Sequence, residues 1–371
     1  MKILINASNL RVGGGIQVAD SVLHHLEKFS DCEFVAVLCS ALRQCGKDIS
    51  AYKNVTVLEY DMPWNLFKAF TGRDSVLDKA VQEYGVDSVL TVFGPSRWCP
   101  KVPHLCGFAR PQVTIPESPY WKDIHGIAKI KANVCRAIVK FLFRFSGDNF
   151  FTENPFISER VKQIYPNKKV YTVTNNYNQI FDNPQFWDKS IKLPEFSGFT
   201  MLTVSANYPH KNLKIIRDVI KILDERHPDL KYRFVLTLDE NQYPLQTASE
   251  KEHIVLTGGV SIDKVPFLYE QCDVMFLPTL LECFSASYAE AMRMGKAILT
   301  TNLEFAKGLC GDAACYYSAV DAKDLASKII LLAGNPDYRK ELISAGELQL
   351  QKFDTAEQRA EKLVEILKKI V

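Results

Sequence analysis

Residues 277–302 constrain this chain more than any other stretch: Leu-Pro-Thr-Leu-Leu-Glu-Cys-Phe-Ser-Ala-Ser-Tyr-Ala-Glu-Ala-Met-Arg-Met-Gly-Lys-Ala-Ile-Leu-Thr-Thr-Asn. An apolar run, Val274, Met275, Phe276 and Leu277, precedes the stretch and is stopped by Pro278. Gly295, a good helix terminator, leads into a second apolar run at Ala297, Ile298 and Leu299. The pattern reads strand, loop, helix, strand, with the helix starting near Ser285. In an open α/β sheet the loop then delivers Glu282 to the carboxyl edge, where ligands bind. Small residues at Ala286, Ala289 and Ala291 let the helix lie close to the sheet.

The chemistry of that stretch suits a nucleotide sugar. A helix start leaves backbone N–H groups unpaired, and its dipole favours a negative group. With Ser285 as cap, the N–H groups from Phe284 through Ala286 are placed to receive a diphosphate. A carboxylate accepts from two vicinal hydroxyls at once. Glu282 and Glu290, eight positions apart, are therefore candidates for two different sugar rings. The plain alternative is an amphipathic helix with two solvated glutamates.

At 371 residues the chain is too long for one ordinary core and fits two domains. Hydrophobic content of 47% with 24% charged residues is that of a globular chain. A net charge of +2 argues against a general nucleic-acid binder. Residues 1–6 read as a strand rather than a signal peptide, and no apolar run is long enough for a transmembrane helix. The ten cysteines contain no Cys-x-x-Cys pair, and the histidines form no metal pattern beside them, so the cysteines read as reduced thiols and no metal site is expected.

Strand-like runs at residues 2–6, 34–38, 55–58 and 88–93 alternate with helical stretches at 16–29 and 75–84, the pattern of a doubly wound sheet. Between the first strand and helix stand Gly13, Gly14 and Gly15, neither a dinucleotide fingerprint nor a phosphate loop. They mark close backbone approach or positive φ. The aromatic and proline-rich loops around Arg97 and Arg110 follow later strands, which makes both arginines candidates for acceptor contact. His104 sits at the start of a strand and takes no role. Residues 124–145 carry Lys129, Lys131, Arg136, Lys140 and Arg144 and no acidic residue, interleaved with large apolar side chains. That is either a basic amphipathic helix for an anionic membrane surface or a buried helix with a basic wet face. Trp64, Phe67 and Phe70, with Lys68 and Arg73, form a smaller patch of the same kind.

A second series of strands, at 200–204, 233–238 and 254–257, leads to the opening stretch. After the first of them come Asn207, His210 and Lys211, just before a helix at 213–225. A cation at a helix start is unfavourable unless it meets an anion, and a compact ammonium suits a diphosphate leaving group. Gly258, Gly259 and Val260 follow a later strand and are weaker candidates for the base.

Taken together, Glu282, Phe284, Glu290, Ala291, Met292 and Gly295 resemble the signature of retaining GT-B glycosyltransferases, glycosyltransferase family 4. Cys283 and Ser285 stand where that family more often has glycine. Ala206 stands where it commonly has an arginine, five residues before the lysine. The resemblance implies an α/β fold of two doubly wound Rossmann-like domains facing across a cleft. The expected boundaries are 1–183 for the acceptor-side domain, 184–198 for a linker and 199–352 for the nucleotide-sugar domain. A last helix within 353–371 is expected to return towards the first domain.

The implied reaction moves a hexose, with retention and without a metal cofactor, from a nucleoside diphosphate sugar to a hydroxyl of a saccharide. The membrane-leaning patches favour a lipid-linked acceptor, as in O-antigen or capsule assembly, and a place at the cytoplasmic face of the inner membrane. Lys211 and Glu282 are the expected catalytic residues. Gly14, Gly15, Asn207, His210, Gly258, Phe284, Ser285, Ala286 and Glu290 are the remaining donor contacts, and Gly13 joins Arg97 and Arg110 on the acceptor side. With no arginine at 206, the helix start at Ser285 is expected to hold more of the diphosphate. A sugar-nucleotide epimerase and a non-catalytic protein on the same fold are the alternatives.

Overall fold

The computed structural model describes residues 1–11, 13–45, 48–63 and 70–371. They form two compact units, one of residues 1–116, 124–175 and 354–371, the other of residues 117–123 and 176–353. Trp64, Phe67 and Lys68 of the smaller basic patch lie outside the described residues.

The first unit is built on β1 (Lys2–Ala7), β2 (Glu33–Leu38), β3 (Val55–Glu59), β4 (Ser88–Thr91), β5 (His104–Gly107), β6 (Asn149–Thr152) and β7 (Lys169–Thr172). They pair in parallel in the order β3-β2-β1-β4-β5-β6-β7. Parallel strands covered on both faces need apolar residues at every position rather than alternation. The run Phe34, Val35, Ala36, Val37 and Leu38 of β2 is buried throughout. The helix Ser75–Tyr84 starts where the Asp74 carboxylate accepts from the N–H groups of Val76 and Leu77, a side-chain cap for two otherwise unpaired donors. The first helix spans Gly14–Leu23, with a short 3₁₀ turn Leu26–Lys28 behind it, in place of one helix over 16–29.

The last helix, Ala356–Ile370, opens with a capping box between Thr355 and Gln358. Its Leu363, Val364 and Leu367 enter the same core as Ile3, Ile5, Val22 and Leu23. Arg359 on this helix is buried and donates to Glu153, Asn175 and Ser21, with 3.5 Å to Glu153 Oε1 and 2.5 Å to Ser21 Oγ. Burial raises the Glu153 carboxyl to about 7 against the pull of Arg359.

The second unit carries β8 (Phe199–Thr203), β9 (Tyr232–Leu236), β10 (Ile254–Leu256), β11 (Val274–Leu277), β12 (Ala297–Thr301) and β13 (Ala314–Tyr317), in the order β10-β9-β8-β11-β12-β13. These pairs too are parallel. Residues 184–198 are not a free linker. Asp188 N donates to Asp263 O at 3.0 Å, Leu193 N to Gln271 Oε1 at 2.8 Å, and Arg233 Nη1 to Pro194 O at 2.7 Å, which ties the segment to this unit. Residues 117–123, expected within the first domain, also belong here: Ser118 Oγ donates to Leu280 O at 2.6 Å and Lys214 Nζ pairs with Asp123 at 2.5 Å.

Candidate active site

In a doubly wound sheet the ligand crevice opens where the strand order reverses, beside the carboxyl ends of the strands. In the second unit that point lies between β8 and β11, since β9 follows β8 on one side and β11 lies on its other. The loops leaving these two strands carry Lys211 and Glu282. The Lys211 ammonium donates directly to Glu282 Oε1, and both side chains are nearly buried, at 14% and 13% exposure. Thr279 Oγ1 lies 3.2 Å from the same Oε1 and 3.3 Å from His210 O, while Leu280 N donates to His210 O at 2.8 Å. The two loops are thus bonded to each other through backbone as well as by the ion pair.

His210 Nε2 lies 3.9 Å from Glu282 Oε1. Burial holds this imidazole below its usual range, against the opposing pull of Glu282, and so favours its neutral form. Its ring stacks on Tyr208 at 5.7 Å and meets Tyr120 edge-on at 6.2 Å. Ser118 and Tyr120, together with Thr279, adjoin this cluster and escaped sequence reasoning. Thr279 has a signal, a hydroxyl three residues before a candidate carboxylate. Ser118 and Tyr120 have none, because their contacts are far away in sequence.

The helix after the Glu282 loop is Ala286–Arg293. Ser285 takes the cap position with extended backbone, φ −127° and ψ 121°, but its hydroxyl makes no capping bond. The expectation of a side-chain cap therefore fails, and the first-turn N–H groups at Ala286 are not taken up by Ser285. Phe284 beside them is half-buried, its ring 5.9 Å from that of Phe353.

Glu290 has different surroundings. It is buried on the helix, where Tyr269 OH donates to its Oε2 at 3.2 Å. Burial raises its carboxyl to about 7, with the Tyr269 bond pulling the other way. A carboxyl raised above its unfolded value stabilises the fold fully below about pH 4.5, and that contribution is lost as pH rises through about 7. Glu290→Gln is therefore expected to flatten the fall in melting temperature between those pH values. The gain is about 3 kcal/mol by pH 8 and near zero at pH 4, read by thermal melts across that range. An unchanged pH slope would refute it.

The remaining candidates are spread along the sheet edges. Asn207 is exposed and its amide donates to Gln242 O at 2.6 Å, apart from the Lys211–Glu282 pair. Gly258, beyond β10, donates its N–H to Leu238 O at 3.0 Å and has open space where a side chain would project.

In the first unit the order reverses between β1 and β4. The loops leaving those strands are joined there by Asn9 Nδ2, which donates to Phe93 O at 2.7 Å. Gly13 precedes the first helix at φ 78°, a left-handed conformation that favours glycine, and Gly14 and Gly15 form the first helical residues. Arg97 is held below the usual arginine range by burial first, then by the positive charges of Arg11 and Arg110. Arg11, on the loop after β1 and not singled out by the sequence reading, pairs with Asp61 at 3.0 Å. His104 is a core residue: buried, lowered to about 3 by desolvation, and bonded through Nε2 to Thr91 Oγ1 at 2.8 Å.

Comparison with known proteins bears on both sheets. Residues 187–349 match the family described as glycosyl transferases group 1. No curated protein matches the sequence. Among solved structures, a glycosyltransferase from Rickettsia africae superposes with a TM-score of 0.70 at 15% identity, covering 100% of this chain and 98% of that one. Anabaena Alr3699/HepE in complex with UDP and glucose gives 0.65 at 15% identity, with 100% of each chain covered. WaaG, a glycosyltransferase involved in lipopolysaccharide biosynthesis, gives 0.67 at 10% identity, with 99% of each covered. At such identities these likenesses speak for the fold, two Rossmann-like parallel-sheet units of the GT-B type.

Proposed function

We propose, from a chain whose residues 187–349 form a glycosyl transferases group 1 domain within a GT-B glycosyltransferase fold, that this enzyme moves a hexose from a nucleoside diphosphate sugar to a hydroxyl of a lipid-linked saccharide, with retention at the anomeric carbon. The class, glycosyltransferase, comes with the domain. The observation that carries the donor reading is the Lys211–Glu282 pair at the strand-order reversal of the second sheet, beside a helix start whose cap hydroxyl is not engaged. Alr3699/HepE, of the same fold, is recorded with UDP and glucose, which supports a donor of this chemistry.

In this reading the diphosphate lies against the N–H groups at Ala286, with Lys211 and His210 beside it. Preformed donors aimed at developing charge are the largest single contribution in many enzymes, and here they stand in for a metal. Glu282 accepts from hydroxyls of the transferred sugar, and Glu290 from the ribose diol, which favours its ionised form. No side chain is assigned as nucleophile. The departing phosphate oxygen takes the acceptor proton on the face it leaves, which preserves configuration. Gly13, Arg97 and Arg110 are the proposed acceptor contacts, and the two guanidinium groups suit an acceptor bearing phosphate. Such an acceptor belongs to surface-polysaccharide assembly at the cytoplasmic face of the inner membrane.

A panel of nucleotide sugars screened by thermal shift should single out one donor, since binding to the folded state raises stability with the logarithm of ligand over Kd. With that donor and a lipid-linked acceptor, proton NMR of the product should show the donor's anomeric configuration, and a chelator should leave the rate unchanged. An inverted product, or activity lost to chelator and restored by a divalent cation, would overturn the retaining, metal-free reading.

A further inference from the structure

The helix Gly126–Phe143 of the first unit is exposed along almost its whole length, which rules out the reading of 124–145 as a buried helix. Only Leu142 and Phe143 of its residues are buried, with Ala132, Val139 and neighbouring positions partly covered. The apolar side chains that remain in solvent are not scattered. Ile127, Ile130, Val134, Phe141 and Phe145 recur at helical spacing and, with the partly covered Ile138, fall within about 80° of arc at roughly 100° per residue. Ile127 is 85% exposed, Ile130 65% and Val134 52%. Towards the end of the stripe Phe141 packs on Phe145 at 5.0 Å and on Phe70 at 5.4 Å, and all three rings are themselves exposed. The same helix places Lys131 and Arg144 at the two borders of the stripe, and Lys140, Lys129 and Arg136 further round beyond Arg144, about 120–160° from the centre of the stripe. It carries no acidic residue.

An apolar stripe turned away from its own unit is anomalous on a folded chain unless something covers it. A second copy of this chain is a poor cover, because pairing two such helices brings cation against cation with no carboxylate between them. A surface that offers hydrocarbon beneath negative phosphates matches both features. Among the described residues no helix is long and apolar enough to cross a membrane, so the match is to lying in the surface rather than spanning it.

We infer that the helix Gly126–Phe143, with Phe70 and Phe145, docks the enzyme in the headgroup region of an anionic lipid bilayer. The stripe Ile127, Ile130, Val134, Phe141 sinks towards the acyl chains, and Lys131 and Arg144 at its borders hold lipid phosphates, the other cations adding attraction at longer range. Such docking would serve the lipid-linked acceptor proposed above, yet it depends only on this surface and not on the donor site.

Full-length protein is sedimented with vesicles of phosphatidylcholine alone and of phosphatidylcholine with about one third phosphatidylglycerol, at low salt and near 0.5 M NaCl. The wild type should pellet with the anionic vesicles at low salt and be largely released by high salt, binding the neutral vesicles at least tenfold more weakly. Each basic residue near an anionic surface contributes about a fivefold factor, so Lys131→Glu/Arg144→Glu should weaken binding by about twentyfold or more. Ile127→Ser/Ile130→Ser, at exposed positions that cannot unfold the unit, should weaken it about tenfold. Both variants should keep the thermal shift with the nucleotide sugar, which separates this result from any failure of the donor assignment. Failure of the wild type to pellet, or charge reversal that leaves binding unchanged, overturns the inference. So does a wild-type dimer in light scattering that Ile127→Ser/Ile130→Ser converts to monomer, since the cover would then be a second copy.

Discussion

Lys211→Ala is expected to lower kcat/KM by about a hundredfold to a thousandfold, most of it in kcat. The ammonium sits against Glu282 at the point where β8 and β11 part, and in the proposed reaction the negative charge it meets grows as the diphosphate leaves. An interaction stronger in the transition state than in the ground state changes kcat more than KM. Glu282→Ala should also be severe, but should raise KM as well, since its carboxylate holds hydroxyls in the bound donor too. The double variant should be little worse than the worse single one, as groups acting as a unit lose their joint effect once. Lys211→Arg should not rescue, because a planar fork cannot replace a compact charge in a nearly closed site. Steady-state kinetics on folded variants decide it: wild-type rates from both Lys211→Ala and Glu282→Ala would remove the pair from the mechanism.

Arg359→Ala is expected to destabilise the first unit by about 3 kcal/mol, with a fall in melting temperature of about 10 °C for a unit of this size. Arg359 is 3% exposed and donates to Glu153, Asn175 and Ser21. Removing it strands a buried carboxyl whose pKa already stands at about 7. The loss should therefore deepen as pH rises past that value, where Glu153 must ionise without a partner. Below about pH 5, where Glu153 is protonated with or without Arg359, the loss should shrink. Arg359→Met/Glu153→Gln should recover much of the stability, because no charge is left buried. Calorimetry at pH 5 and pH 8 tests both points, and a loss independent of pH would mean that packing rather than charge holds Arg359 in place.

The parallel strands were legible because a buried parallel sheet writes itself as unbroken apolar runs, as in Phe34 to Leu38 or Val274 to Leu277. β13 escaped notice: Ala314, Cys315, Tyr316 and Tyr317 lack the branched residues that mark a strand. The first helix begins earlier than its pattern suggests because Gly14 and Gly15, poor helix formers, are inside it. At the site, residue types at strand ends pointed to Lys211 and Glu282, but nothing local announced that they pair with each other across a separation of 71 residues. Ser285 shows the opposite limit. A serine before an apolar helix predicts a capping bond, and the hydroxyl does not make one. The segment around Ser118 was placed by its bond to Leu280, 162 residues away, which no periodicity encodes.

The clasp made by Arg359 also bears on how the protein is born. Its partner Ser21 precedes it by 338 residues, and the whole second unit, residues 117–123 included, is synthesised in between. At ribosomal rates of about 5–20 residues per second, the first strands wait on the order of tens of seconds for the helix that completes their core. The second unit has all its residues by Phe353 and can close first. During that interval the faces of β1 and the Gly14–Leu23 helix that await Leu363 and Leu367 are open to solvent and to chaperones. A nascent chain released before residue 356 would carry all the residues of the second unit and a first unit still lacking the helix that completes its core.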